Sequence, residues 1–132
     1  MSANLDLVRS IYADWERGDF SSAEWAHPDI EVVLADGPTP ATWNGLAEMG
    51  RGWRDVLDAW EDFRAEAEEY RELDKERVLA FVHNRGRGKV SGMAVDQMRT
   101  GASLFQLRNG KVTRMVIYWS SDRALADLGL KE

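Results

Sequence analysis

The residues best suited to acid–base chemistry lie close together in one predicted strand. His83 is one of 2 histidines in 132 residues, and it falls within the predicted strand over residues 77–85. Histidine changes its charge near neutral pH, so it can act as a general acid or base. Phe81, His83 and Arg85 must project to one side, because side chains alternate along a strand. We therefore predict that His83 and Arg85 form the polar centre of a pocket.

A carboxylate, Asp96, completes this candidate catalytic set. An arginine beside His83 disfavours the imidazolium and keeps a neutral base available near pH 7, whereas a carboxylate reverses that effect. Asp96 and Gln97 point to opposite faces of their predicted strand, so at most one of them lines the pocket. The alternative role is structural: the face that carries His83 packs against a partner subunit, and His83 and Arg85 make hydrogen bonds there.

Large aromatic side chains supply the apolar part of the candidate site. The chain has 6 tryptophans, and such residues concentrate in cores, pockets and interfaces. The first predicted helix carries two of the candidates on its apolar face, where an ordinary core position is the alternative. Another candidate precedes the long helix, and two end the last strand with opposed side chains. The predicted ligand-binding residues of this mostly apolar pocket are Tyr12, Trp15, Trp43, Tyr118 and Trp119.

Composition argues against several function classes. The formal net charge is −6, which disfavours nonspecific binding to nucleic acid. The chain has 0 cysteines, and no segment approaches the roughly 18 apolar residues of a membrane span. The N-terminus lacks the basic and apolar stretches of a signal peptide, so we expect a cytoplasmic protein. His27 and His83 do not have metal-site spacing, and we expect neither a metal nor another cofactor.

Helices must position the aromatic candidates. Apolar residues recur every three to four positions in the first and third helical segments, which is typical of amphipathic helices. Ser21 and Glu24 fit a capping box, which predicts that a short helix begins there and ends before Pro28. The predicted helices cover residues 4–17, a short segment from Ser21 that ends before Pro28, a long segment that follows Asn44 and contains the stripe 46–60, and a final segment capped by Ser121 or Asp122 that ends near Gly129.

Strands follow in the second half of the chain. Asn109-Gly110 between apolar runs predicts a hairpin, because a type I′ turn requires positive φ at both central positions. Residues 63–73 have helical propensity but alternate apolar with charged residues, and we favour a strand because the next strand needs a partner. A loop is predicted at 36–40, a turn at 85–89 and a bulge near Gly101. The predicted strands cover residues 30–34, 63–73, 77–85, 95–107 and 112–119.

The resulting order, α-α-β-α-β-β-β-β-α in one domain of residues 1–132, resembles the NTF2-like superfamily and within it the SnoaL-like group. The segments that carry the resemblance are 7–20, 27–32, 43–45 and 107–114, together with the turn 85–88 and the tail 122–130. The resemblance implies an α+β cone: a strongly curved, mostly antiparallel sheet wrapped around N-terminal helices. It also implies a pocket at the open end and a homodimer through the sheet.

The same resemblance implies several activities, since such proteins include polyketide cyclases, ketosteroid isomerases, epoxide hydrolases and proteins that only bind. Isomerase chemistry is disfavoured, because Ile11, Leu34 and Ala102 align with the three required acid–base positions. A register slip of one residue would place Tyr12 near the acid position. For an Asp-Arg-Asp epoxide hydrolase site, Arg85 is a candidate, but a second aspartate besides Asp96 is not identified.

Two functional hypotheses follow. The first is a SnoaL-like protein that binds a small apolar or aromatic molecule and acts as a cofactor-free isomerase, cyclase or hydrolase. The second is a noncatalytic ligand-binding or protein-interaction module on the same scaffold. A buried titratable pair in the pocket would favour the enzyme, whereas an interior filled by its own tryptophans would favour an interaction module.

Overall fold

The fold of the chain is α+β, as predicted, and is seen here in a computed structural model that describes residues 3–17, 19, 24–35, 41–88 and 101–130. Within those ranges the chain forms three helices and six strands. Their bounds, in chain order, are α1 Ala3–Glu16, β1 Ala26–Leu34, β2 Ala41–Asn44, α2 Gly45–Ala59, β3 Trp60–Glu72, β4 Arg77–Gly88, β5 Gly101–Arg108, β6 Lys111–Tyr118 and α3 Ser121–Leu128.

The six strands form one sheet in the order β2-β1-β6-β5-β4-β3. Strands β1 and β6 are parallel, and the other four pairs are antiparallel. The long strand β3 pairs with β4 through two register shifts, one between Glu61 and Arg64 and one between Ala67 and Glu69. Such bulges bend a strand and increase its twist. The strand predicted over 63–73 is therefore confirmed.

The hairpin predicted at Asn109-Gly110 is also confirmed. Asn109 has φ 54° and Gly110 has φ 76°, as a type I′ turn requires. Arg108 and Lys111 are paired across the turn. The register of β5 with β6 shifts between Gln106 and Leu107, where Thr113 of β6 is the extra residue, whereas Gly101 is in register with Val82.

Several predicted boundaries change. The turn predicted at 85–89 is wrong over 85–88, because β3 begins early enough to pair Trp60 with Gly88 and so extends β4. Strand β1 begins at Ala26, and Pro28 falls where the β1–β6 ladder is interrupted, a position at which proline breaks no hydrogen bond of the ladder. The N-cap of α3 is Ser120 rather than the predicted Ser121 or Asp122, and the helix ends at Leu128 with Gly129 as its C-cap, close to the predicted end near Gly129. The loop predicted at 36–40 and most of the short helix from Ser21 lie outside the described residues.

Alternation along the strands divides the core between two faces of the sheet. In β4, Val78, Ala80 and Val82 pack into a cluster with α1 and α2, and we call this side the inner face. Leu79 and Phe81 belong to a second cluster that includes residues of α3, and this side is the outer face. The face on which a residue lies therefore decides whether it can share a site with Tyr12 and Trp15 of α1.

Candidate functional site

A chain of aromatic rings crosses the interior between the two N-terminal helices and the inner face. Tyr12 and Trp15 of α1 meet edge to face, with ring centroids 5.0 Å apart and planes at 85°. Trp15 contacts Trp53 of α2 at 5.3 Å, and Trp53 contacts Trp43 of β2 at 5.8 Å. These separations are those of packed aromatic pairs. The rings thus connect the edge strand β2 with the centre of the core.

The spacing of apolar residues on α1 explains why its aromatic side chains point inward. Val8, Ile11, Tyr12 and Trp15 are buried and recur at three- and four-residue intervals, which places them on one side of the helix. Tyr12 also contacts Phe105 of β5, with ring centroids 5.8 Å apart. Helix α1 is therefore fixed against the sheet by the same ring that carries the most deeply buried hydroxyl.

The Tyr12 hydroxyl is the polar group at the inner end of this chain. The residue is 1% exposed, and its hydroxyl has no hydrogen-bond partner among the residues the structure describes. Burial raises the pKa of Tyr12 well above its usual value, and the nearby Ser103 hydroxyl offsets only part of that rise. At neutral pH the group is consequently a neutral phenol that can donate a hydrogen bond.

Tyr70 of β3 is a further aromatic neighbour of Tyr12. Its ring centroid lies 6.2 Å from that of Tyr12. The guanidinium carbon of Arg9 stands 5.3 Å from the centre of the Tyr70 ring, a cation–π arrangement. Burial, and next the negative charge of Glu16, raise the pKa of Tyr70, while Arg9 lowers it. Tyr70 thus also remains neutral at physiological pH.

Trp43 packs closely against α2 because Gly52 has no side chain. A Cβ atom placed on Gly52 would lie 2.1 Å from Cε2 of the Trp43 indole and 2.4 Å from two further ring atoms. The indole therefore rests directly on the helix backbone. Trp43 is half-buried, whereas Tyr12 and Trp15 deeper in the chain of rings are buried.

His83 lies on the other face of the sheet. Val82 packs into the inner cluster and Phe81 into the outer one, so His83 projects with Phe81 to the outer face. Its Nδ1 atom is 3.8 Å from a carboxylate oxygen of Glu68. Phe81 and His83 project to the same side of β4, as predicted. Neither residue shares a face of the sheet with Tyr12.

The remaining predicted residues are dispersed. Tyr118 belongs to the outer cluster, where burial and next the Asp127 carboxylate of α3 raise the pKa of its hydroxyl. Trp119 is half-buried and follows the end of β6. The backbone of Arg85 pairs with Arg64 in the β3–β4 ladder. Asp96 lies outside the described residues.

Trp53, Ser103 and Gly52 are site residues that the sequence patterns did not single out. Trp53 fits the apolar stripe of α2, which predicts an ordinary core position. Two signals were available in the sequence. Glycine within a helix is unfavourable by about 1 kcal/mol relative to alanine, so Gly52 calls for a packing reason. A serine within an apolar strand likewise calls for a polar neighbour, which Ser103 has in Tyr12.

Metal binding and membrane insertion each require a feature that can be sought in the fold. Among the described residues, no group of three or more histidine, cysteine, aspartate or glutamate side chains is arranged to hold a metal ion. Over the same part of the chain, no helix has both the length and the apolar character needed to cross a membrane.

A family model and several solved structures are similar to this chain. The model described as a SnoaL-like domain matches residues 8–115. An NTF2-like protein of unknown function from Burkholderia pseudomallei is 21% identical, with a TM-score of 0.76, and the match covers 96% of this chain and 97% of that one. At this level of identity the likeness concerns the fold. No curated protein matches the sequence.

Two further solved structures contain small molecules. TerC, co-crystallised with polyporic acid, is 23% identical over 96% of this chain and 98% of that chain, with a TM-score of 0.73. A protein with a ketosteroid isomerase-like fold from Catenulispora acidiphila, in complex with trimethylamine, is 20% identical over 96% and 94%, with a TM-score of 0.68.

Proposed function

Because this chain belongs to the family of SnoaL-like domains, we propose that it binds a small apolar or aromatic molecule in the interior between α1, α2 and the inner face of the sheet. The observation that carries the proposal is the Tyr12 hydroxyl, which is buried and lacks a hydrogen-bond partner among the described residues. Such groups are rare in folded proteins, because burying an unbonded hydroxyl is unfavourable. A ligand atom that accepts from Tyr12 would remove this cost.

The surroundings of Tyr12 define the other properties of the ligand. The rings of Trp15, Tyr70 and Phe105 contact Tyr12, so the ligand meets apolar and aromatic surfaces. The raised pKa of Tyr12 makes it a donor at neutral pH. The ligand therefore needs an acceptor, such as a carbonyl oxygen, on an apolar framework.

The mutual contact of Trp15, Trp53 and Trp43 favours an interaction module, and the unbonded Tyr12 hydroxyl favours ligand binding. Catalysis has less support than either. A neutral phenol can stabilise an oxygen that becomes negative during a cofactor-free isomerisation, cyclisation or hydration. Such reactions also require a positioned base. His83, the candidate from the sequence, lies on the face of the sheet opposite Tyr12, so His83 has no part in the binding site proposed here.

The solved structures support a ligand-binding role for this fold. Proteins with TM-scores of 0.73 and 0.68 to this chain hold polyporic acid and trimethylamine. Both similarities extend over 96% of this chain. These two ligands differ in chemistry. The ligand class proposed for this protein therefore rests on the residues around Tyr12 and not on the ligands of the similar structures.

A homodimer through the outer face is a second part of the proposal. Helix α3 covers part of that face, with Ala124 and Leu128 packed on its cluster. Phe81 and Leu73 at the border of the cluster stay half-buried, and a second copy would cover them. Light scattering should give about twice the 15.0 kDa mass of one chain. A mass of one chain at micromolar concentration would refute this part.

Titration calorimetry with a panel of apolar carbonyl and aromatic compounds, including polyporic acid, tests the binding site. We expect at least one compound to bind the wild type. Tyr12→Phe should weaken that binding about tenfold, the equivalent of one hydrogen bond, and His83→Ala should leave it unchanged. The proposal fails if no compound binds, or if Tyr12→Phe binds as the wild type does while retaining its fold.

A further inference from the structure

The interior rings restrict access to Tyr12. Adjacent centroids from Trp43 through Trp53 and Trp15 to Tyr12 are 5.8, 5.3 and 5.0 Å apart, which leaves the rings in mutual contact. A molecule that approaches Tyr12 along this chain of rings must therefore displace at least one of them. Packed interiors yield by discrete side-chain movements rather than by general expansion.

Trp43 has the weakest attachment of these rings. Trp15 is buried on α1, and Trp53 is carried by the 15-residue helix α2. Trp43 instead lies on β2, a strand of four residues at the edge of the sheet that pairs only with β1. Its side chain is half-buried. It is thus the ring whose movement disturbs the fewest other contacts.

The resting place of the Trp43 indole is shaped by Gly52. Because the indole occupies the space that a Cβ on Gly52 would need, the space it leaves on moving out would be a flat slot beside the helix backbone and next to Trp53. Any side chain at position 52 would close this slot. At Gly50, two residues away, a Cβ would meet no atom within 4 Å, so that glycine has no such packing role.

We propose that Trp43 is a gate and a specificity-determining residue, which closes the site when its indole rests on Gly52 and admits flat aromatic ligands when it leaves. This inference rests on the proposed function, because it concerns entry to the Tyr12 site. The slot has the thickness of one aromatic ring, since an indole fills it. Flat ring systems are accepted there, and bulky saturated frameworks are rejected.

Stopped-flow measurement of polyporic acid association tests the gate. Trp43→Ala should raise the association rate constant about tenfold or more, because binding no longer waits for the indole to leave its seat, whereas Gly52→Ala closes the slot with its Cβ atom and should lower the rate constant about tenfold. Gly50→Ala is the matched control and should stay within about twofold of the wild type. Unchanged association in Trp43→Ala, or faster association in Gly52→Ala, would overturn the proposal. If Gly52→Ala does not fold, Trp43→Ala decides alone.

A second measurement needs no ligand and separates failure of the gate from failure of the binding proposal. Exchange of the Trp53 indole N–H with solvent, followed by NMR, should be about tenfold faster in Trp43→Ala and Gly52→Ala than in the wild type and Gly50→Ala. Equal exchange rates in all four proteins would overturn the gate even if polyporic acid binds. Faster exchange without binding of any panel compound would instead refute the proposed function alone.

Discussion

The Ser103 hydroxyl lies near enough to Tyr12 to lower its pKa, yet the two side chains do not form a hydrogen bond of normal geometry. Both residues are buried, Tyr12 at 1% and Ser103 at 5% exposure. The interior therefore holds two neighbouring hydroxyl groups, of which that of Tyr12 lacks a hydrogen-bond partner among the described residues. Such a pair is suited to a ligand atom that accepts from one of them.

Removal of the Tyr12 hydroxyl should not destabilise the protein. Tyr12→Phe keeps the ring contacts and eliminates a buried group without a described partner, so we expect an unchanged or higher free energy of unfolding, by up to about 1 kcal/mol. Tyr118→Phe is the control, because that hydroxyl has the Asp127 carboxylate beside it as an acceptor, and it should lose about 1 kcal/mol. Urea denaturation measures both. A loss in Tyr12→Phe as large as in Tyr118→Phe would contradict this expectation.

Two glycines of α2 should respond to alanine in opposite directions. Gly52→Ala forces the Trp43 indole from its seat and should destabilise the protein by about 1–3 kcal/mol, the usual range for overpacking. Gly50→Ala meets no atom within 4 Å and should stabilise it by about 0.5–1 kcal/mol through helix propensity. Thermal unfolding compares the two. A stabilised Gly52→Ala would show that the indole moves without cost.

The three tyrosines should ionise late in the native protein. The pKa values of Tyr12, Tyr70 and Tyr118 are all raised above 10.0, chiefly by burial. Absorbance at the tyrosinate band should thus rise at higher pH in the folded protein than in urea. Since the unfolded state loses these protons first, the free energy of unfolding is unaffected well below pH 10 and falls as pH rises above it. Identical titration curves in the two states would contradict the burial of these rings.

The β5–β6 hairpin should depend on glycine at the second turn position. Gly110 has φ 76°, a left-handed conformation, and a Cβ there would meet no atom within 4 Å. Gly110→Ala should therefore cost about 1 kcal/mol through backbone strain alone, which corresponds to roughly 4 °C in Tm. Gly50→Ala in α2 has no such strain and serves as the comparison. An unchanged Tm would mean that the turn can adopt another geometry.

Local signals in the amino-acid sequence predict several elements of the fold. Asn109 and Gly110 predict their turn because positive φ is a property of those residues, and the 3.6-residue periodicity of Leu5, Val8, Tyr12 and Trp15 predicts α1 without reference to other segments. For β3 the alternation within 63–73 competed with helical propensity, and the need of the next strand for a partner decided the prediction. The family resemblance then supplied the overall fold, since these elements occur in the order of that family.

Only the tertiary structure shows which face of the sheet is inner and which is outer. Alternation shows that Phe81 and His83 share a side of β4, but both faces of β4 are apolar, so the pattern does not distinguish inner from outer. That distinction arises because α1 and α2 pack on Val78, Ala80 and Val82, while α3 packs on the opposite side. The seat of Trp43 on Gly52 and the approach of Ser103 to Tyr12 also depend on how the elements meet in space. Contacts of this kind are set by the docking of helices and sheet, which no local pattern encodes.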